Sequence, residues 1–512
     1  MTFLKSRALA LVIVASPLVT TIVYIQIFAT PTPLTDEGFF LKKMITVLET
    51  EITSGRVLWG TFATKLWNHV LTVPFALYRV LAPLTNFDNR VFVYVTLFAF
   101  CVHFWIFRSI LGGVTLAMLP VSLILFTPAH YMEYHWGFEF TLAFSVVLPV
   151  VGLWLLDRAL LRDARHSAGS IAGAMALFLL GALSSAGAVL AAPAAVVLVL
   201  LKRRPITEKV TVVGILLVVQ AVAFYIVEPS TGGFKVAPRE VLYVLTAMGG
   251  TVWGTPVGMV AFKVDQLSMI GALFCLVMAA VALRALALRR LPDFALCIAL
   301  FFFSATMMAS IAMNRPYLGN WHLQHLLPGL CAVYAASLLL YRMDNSYVAK
   351  ATFGIATCLS AVALVGYYKG FTEYGPSYQD YVHQIEAYNL AYLEEPDRPT
   401  PFPSGTGHDV DADMVQFLSA RNHPLFQPSN ARILQAATNA GAAIGGEASI
   451  FADGRRLNGT TLIVGPRRQH IRMIVALKTA PRCAVLTAAN LRRSLRHTVS
   501  YTHLTLPTIY SV

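Results

Sequence analysis

As far as residue 370 the chain is a succession of long apolar runs broken by short polar or basic intervals. The runs centre on residues 8–28, 91–107, 114–126, 140–156, 171–185, 189–201, 210–227, 269–288, 294–313, 326–341 and 351–368. A helix needs roughly 20 mostly apolar residues to cross about 30 Å of hydrocarbon, so these stretches predict a mainly α, polytopic transmembrane bundle of about 11 spans. The first run follows Lys5 and Arg7; it is longer than the apolar core of a secretory leader and lacks a clear small-residue cleavage pattern. It therefore reads as a membrane anchor. Residues 241–261 are also fairly apolar but carry Gly249, Gly250, Gly254 and Gly258. They read as an interfacial or re-entrant element, because a full crossing there would reverse the side on which the later basic residues fall.

Between the first two runs, residues 29–90 form a long connection with two amphipathic stretches, 39–48 and 66–81. Their apolar positions recur at helical spacing beside Lys42, Lys43, Asn68, His69 and Arg79. Such helices lie in the headgroup plane, where they either pack or guide a substrate. Beyond residue 370 the pattern turns polar. Residues 378–394 and 411–419 read as helices, and 449–457, 461–464, 471–477 and 484–487 alternate like short strands, with Asp453-Gly454 as a turn. The division is thus 1–369, the membrane domain, and 370–498, a small α+β domain. Residues 499–512 stand apart: Val499 to Thr508 resembles the translation of a sequencing adaptor, so the natural chain is expected to depart from this sequence there and the polar domain to be truncated.

Composition agrees with the pattern. Of 512 residues, 57% are hydrophobic and 13% charged, which excludes an ordinary soluble domain. The net charge of +13 is spread over short Lys and Arg clusters and forms no continuous basic face, so nucleic acid is not the expected partner. The clusters mark topology instead. Placing Lys5 and Arg7 in the cytoplasm puts Arg108, Arg158, Arg162, Arg165, Lys202, Arg203, Arg204, Lys209, Arg284, Arg289, Arg290, Arg342 and Lys350 there too. The N-terminus is then cytoplasmic, and the loops 29–90, 127–139, 228–266 and 314–325 face outward with the C-terminal domain. Of the six cysteines, five lie inside apolar runs and Cys483 is alone in the polar region, a spacing that indicates neither a disulfide framework nor a metal cluster.

Three clusters carry candidate chemistry. Thr35-Asp36-Glu37-Gly38 places two carboxylates just past the first run. A carboxylate shielded at the membrane edge is suited to accept a proton from a hydroxyl nucleophile, and equally suited to cap the helix that follows. His130-Tyr131-Met132-Glu133-Tyr134-His135-Trp136, followed by Glu139, combines carboxylates, imidazoles and aromatic faces of the kind that bind sugars. Its spacing matches no familiar zinc motif, and an interfacial aromatic belt has a similar composition. Asn314-Arg315-Pro316-Tyr317-Leu318-Gly319-Asn320-Trp321-His322, leading to His325, offers a guanidinium for a phosphate or for a lipid headgroup.

Over roughly its first 370 residues the chain resembles the GT-C superfamily of membrane glycosyltransferases, above all the branch of protein O-mannosyltransferases and lipid A aminoarabinose transferases. The resemblance rests on Asp36-Glu37 after the first span, the long first outer loop, Arg90 opening the second span with Arg108 to Gly113 closing it, and His325-Leu326-Leu327-Pro328-Gly329-Leu330. Relatives commonly read Arg-Tyr-Leu-Leu-Pro at that last position, so His325 departs from the pattern. The resemblance implies inverting transfer of a sugar from a polyprenyl-phosphate donor to a glycan, lipid or protein acceptor on the outer face of a bacterial-type inner membrane. It implies a base at Asp36 and a second acid at Glu133; the chemistry of the clusters themselves adds Glu37 beside the base and offers donor or acceptor contacts from His130, His135, Trp136, Arg315, Tyr317, His322 and His325. No cofactor is required by the sequence, and a divalent metal is left open. A transporter or flippase for lipid-linked sugars is the rival reading. It would place ionisable groups near the bilayer midplane, where the spans show chiefly His103. An envelope-assembly scaffold is a third.

Overall fold

The computed structural model describes residues 2–34, 36–54, 65–66, 69–161, 168–227, 238–253, 266–314, 319–379, 382, 412–426, 449–452, 455–458, 472–476 and 483–487. The chain is mainly helical, and among the described residues eight helices are long and apolar enough to cross a membrane, which makes it a multi-pass membrane protein. Each apolar run of the sequence falls on a helix. α1 (Thr2–Phe28) leads to α2 (Glu37–Ser54) and α3 (Thr72–Leu84); the long α4 (Asn89–Leu111) is followed by the short α5 (Leu119–Leu125), and then by α6 (Phe140–Leu161). Next come α7 (Ala168–Ala182), α8 (Ala191–Leu201), α9 (Ile206–Val227), α10 (Pro238–Trp253) and α11 (Gln266–Ala287). The bundle closes with α12 (Ala295–Asn314), α13 (Leu327–Met343), α14 (Tyr347–Ala361) and α15 (Ala363–Lys369). Three of the predicted runs, at 116–125, 168–182 and 186–201, form apolar helices of fewer than 18 residues.

The helices pack around α13, almost all of whose length is buried. Lipid-facing apolar side chains such as Val218, Tyr225 and Leu276 remain exposed on the outer helices, while Phe107, Leu153, Phe303 and Tyr334 fill the interior. Helices α10 and α11 approach backbone to backbone. A Cβ on Gly249 would lie 1.9 Å from the Leu267 carbonyl oxygen, and one on Gly271 would lie 1.9 Å from that of Leu245. Only glycine permits this contact, and the two pairs set the helices antiparallel. The element predicted at 241–261 is therefore a helix over 238–253 that packs along α11; residues 254–261 lie outside the described residues.

Two further expectations are revised. Residues 66–81 do not form one helix: Lys65–Leu66 (β1) and His69–Val70 (β2) pair antiparallel, and α3 starts only at Thr72, with Pro74 in its first turn. A tertiary contact overrides the helical period, since His69 Nδ1 bonds Ser185 Oγ at 3.1 Å and Val70 is buried against α7 and α9. Nor does the last membrane helix stop near 370. It continues through a π-helical turn, Gly370–Tyr374, to Gln379. Gly370 is pressed against Pro128, where a Cβ would come within 2.5 Å of the proline Cβ. Among the predicted polar elements, α16 (Ala412–Ala420) is present and buries Met414, Val415 and Leu418 against Leu34, Phe40 and Phe87. Two hairpins follow, pairing Ser449–Ala452 (β3) with Arg455–Asn458 (β4) and Arg472–Ala476 (β5) with Cys483–Thr487 (β6). The predicted strand 461–464 and residues 499–512 lie outside the described residues.

Basic side chains gather at one end of the bundle, where they tie helix ends together. Lys202 Nζ lies 2.6 Å from Asp157 Oδ1 with both side chains buried, and Arg284 Nε lies 2.7 Å from Asp344 Oδ2. Arg342 donates to the Leu111 carbonyl at 3.0 Å, just before the chain leaves α4 through Gly112 and Gly113, whose positive φ values end that helix. A buried ion pair that loses one partner leaves a stranded charge, at a cost of about 3–5 kcal/mol. Lys202→Met and Asp157→Asn are each expected to lower the unfolding temperature in detergent, and the double variant Lys202→Met/Asp157→Leu to recover most of the loss. Single variants as stable as the parent would show the pair to be dispensable.

Candidate functional site

The turn after α1 is held from four directions. Asn89 donates from its backbone N–H to Pro31 O at 3.0 Å and from Nδ2 to Thr30 O at 3.1 Å. The Trp136 indole donates to Leu34 O at 3.0 Å. His423, just beyond α16, donates from Nε2 to Pro31 O at 3.0 Å and accepts Leu425 N–H on Nδ1 at 3.1 Å. Asp36 and Glu37 follow this turn. Asp36 is half-buried, and its carbonyl accepts Phe39 N–H at 3.1 Å. Glu37, the first residue of α2, is buried and folds back, so that Oε2 accepts Leu34 N–H at 3.3 Å while Oε1 has no partner. Glu37 thus serves the helix start, one of the two roles open to the pair.

The second cluster departs further from expectation. Residues 127–139, expected as an outward loop, are largely buried among the helices. Thr21 Oγ1 bonds Phe126 O, which places the end of α5 about 10 Å short of Phe28 at a helical rise of about 1.5 Å per residue. Tyr24 Oη shares a 2.9 Å hydrogen bond with His135 Nε2. The cause is the brevity of α5: the chain runs out of helix before it reaches the end of α1, and completes the distance in two 3₁₀ turns, Tyr131–Tyr134 and Gly137–Glu139. His130, Glu133, His135, Trp136 and Glu139 are all buried. Trp136 packs against Phe138 and meets Trp321 edge-on at 6.0 Å, so its ring is a strut of the core.

The third cluster meets the second. The turn Asn320–Leu326 leads into α13; Asn320 Nδ2 donates to Ala129 O at 3.3 Å, and Gln324 Nε2 to Glu139 Oε2 at 2.8 Å. His322 Nδ1 accepts Gly319 N–H at 3.2 Å, and His325 Nδ1 donates to the His322 carbonyl at 2.8 Å. Both histidines are buried. Arg315 and Tyr317 lie outside the described residues. Arg90, at the start of α4, forms an ion pair with Asp88 at 2.5 Å.

Electrostatically the site brings carboxylates together with neutral polar groups. Glu139 is within electrostatic reach of both Glu133 and Asp36, so the turn after α1 and the 127–139 segment share one local field. Burial pushes the Glu37 carboxyl up to about 8 and holds Glu133 well above the carboxylate range. Burial also takes His130 and His135 down to about 3. Burial thus disfavours the charged form of Glu133 and of the two imidazoles. Both oxygens of Glu133, both ring nitrogens of His130, Asn320 Oδ1 and Gln324 Oε1 have no hydrogen-bond partner. Such buried groups hold free capacity to bind hydroxyls or water. Among the described residues no three His, Cys, Asp or Glu side chains are grouped to hold a metal ion.

Sequence reasoning did not single out Asn89, Gln324 or His423, which make the cross-links. Each sits among other polar residues at the edge of an apolar run, and its cross-link partners are distant in sequence. Asp88-Asn89 before α4 carried a local signal, but it reads as a helix cap: Asp88 Oδ1 indeed accepts Arg90 N–H at 3.0 Å. Comparison with protein-family models, with curated proteins and with solved structures matches this chain to none of them.

A carboxyl whose folded pKa is raised contributes stability at low pH and loses it as the pH climbs through the raised value. The protein is expected to lose stability in detergent between about pH 5 and about pH 8, from the ordinary carboxylate range to the raised Glu37 value. Glu37→Gln, which keeps an acceptor for Leu34 N–H, is expected to lessen that slope. An identical slope in the variant would place Glu37 in water.

Proposed function

We propose that this chain is an inverting glycosyltransferase of the GT-C type, moving a sugar from a polyprenyl-phosphate donor to a glycan, lipid or protein acceptor at the outer face of a bacterial-type inner membrane. The observation that carries the reading is the meeting of the turn bearing Asp36 with the buried segment bearing Glu133 and Glu139, at the bundle end opposite the basic residues. The positive-inside tendency makes that end the outer one, with eleven crossings, a cytoplasmic N-terminus and an extracytoplasmic C-terminal α+β domain. Asp36 is half-buried at the edge of the bundle, a position suited to a base.

In this reading Asp36 accepts the proton of the acceptor hydroxyl as its oxygen attacks the anomeric carbon. The bond from that carbon to the phosphate oxygen breaks, and attack from the opposite face inverts the centre. The leaving lipid phosphate carries the negative charge, which Arg315, beside Tyr317, is suited to meet. Glu133, whose charged form burial disfavours, donates a hydrogen bond to a sugar oxygen, while His130, His322 and His325 offer ring nitrogens.

One observation favours the rival class. Glu133 and His130 are buried inside the bundle and unpartnered, and ionisable groups at such depth are a feature of transporters. The two readings part on the covalent product. Purified protein in vesicles, given polyprenyl-phosphate sugars and a hydroxyl acceptor, is expected to form a glycoside, and Asp36→Asn to lower the rate by roughly 10²-fold or more at unchanged expression. Undiminished transfer in the variant removes Asp36 from the chemistry. Movement of the intact lipid-linked sugar between leaflets without a glycoside would establish transport instead.

A further inference from the structure

Asn89 stands outside every predicted site, yet its side chain joins the two acid-bearing segments. It is fully buried at the start of α4. Nδ2 donates to Thr30 O at 3.1 Å and to His135 O at 2.9 Å; Oδ1 accepts Gly137 N–H at 2.6 Å. Its backbone N–H takes Pro31 O at 3.0 Å. Two carbonyls and one N–H are thus met by one planar amide, which presents two donors and an acceptor in a fixed fan. Aspartate has the shape but no donor, and would set carboxylate oxygens against two carbonyls. Alanine would leave three buried backbone groups unpaired. Gly137 is the complementary half of the fit, since a Cβ there would lie 2.1 Å from Asn89 Oδ1.

We propose that Asn89 is a positioning residue: its amide sets the separation between Asp36, on the turn after α1, and the Glu133–Glu139 pair. The proposal rests on the reading of this site as one for glycosyl transfer. Asn89 touches only backbone on either side, so it acts through the placement of both segments. The two carboxylate groups are about a hundred residues apart in sequence, and a shift of about 1 Å between reacting groups is enough to cost about a hundredfold in rate. The same knot holds the carbonyl of His135, whose ring is fixed by Tyr24, so release of the amide frees a histidine as well as the acids.

The experiment compares full-length parent, Asn89→Asp and Gly137→Ala in vesicles. The second variant presses on the amide without removing a polar group. Both are expected to remain folded by size-exclusion chromatography and to lose roughly tenfold or more in kcat, with the KM for the polyprenyl-phosphate sugar within about twofold of the parent. Amide hydrogen exchange across 130–139 is expected to quicken in both. Parent-like kcat, a loss borne by KM alone, or loss of folded protein in both variants would overturn the positioning role. If the parent makes no glycoside from any donor tried, the glycosyl-transfer reading falls. Hydrogen exchange then decides for Asn89 on its own, with unchanged protection in both variants counting against it.

Discussion

A chain that leaves its helix while still inside a bundle must satisfy every backbone N–H and C=O without help from bulk water. Residues 127–139 live under that constraint, and the surrounding structure answers it. Their own 3₁₀ turns take the N–H groups of His130, Glu133, His135, Trp136 and Glu139. What the turns leave over is met from outside, by Asn89 at His135 and Gly137 and by Asn320 at Ala129. Among the side chains, the carboxyl of Glu133, the ring of His130 and the amide oxygens of Asn320 and Gln324 are left unpaired. Spare side-chain capacity beside a bonded backbone is a reasonable state for a place that receives a polar ligand, because a ligand can bind there without unpicking these contacts.

The spans were legible because a single-period apolar signal is all that a membrane helix requires. Segment 127–139 was not, although His130 to Trp136 and Glu139 were singled out. Its residues look like an interfacial loop, and what buries them is the shortness of α5, a fact of tertiary level: the Thr21 to Phe126 contact shows where the helix stops relative to its neighbour. The same limit applied at 66–81, where the apolar period was helical but the contact between His69 and Ser185 prevailed. Trp136 and Glu37 were read for chemistry, and both also have structural duties, one at Leu34 O and one at Leu34 N–H. Carboxylates and indoles that close a tight turn carry the same letters as those that meet a substrate.

The two ends of the bundle are built on opposite principles. At one end charge is neutralised locally, by Lys202 with Asp157, Arg284 with Asp344 and Arg290 with Asp293, so that helix ends are clamped by ion pairs. At the other end Asp88 pairs with Arg90, while the exclusion of water raises the pKa of the buried carboxyls of Glu37 and Glu133. The apolar packing of Phe40 on Phe75, Tyr78 and Phe138 supplies that exclusion, together with the docking of α16 over Leu34 and Phe87. Removing the polar segment that follows the last membrane helix would thus be felt at the turn after the first.

The glycine contacts between α10 and α11 have a mechanical meaning. Backbone against backbone leaves no side chain to flex, so the two helices form one stiff bar. At its far end that bar is pinned through Arg284 to Asp344, whose carboxylate also receives Ser346 N–H and Oγ–H at the start of α14. Through these contacts α10, α11 and the α13–α14 corner form one connected chain of packing. The protein therefore carries a rigid lever from the face that holds its acids to the face that holds its cations.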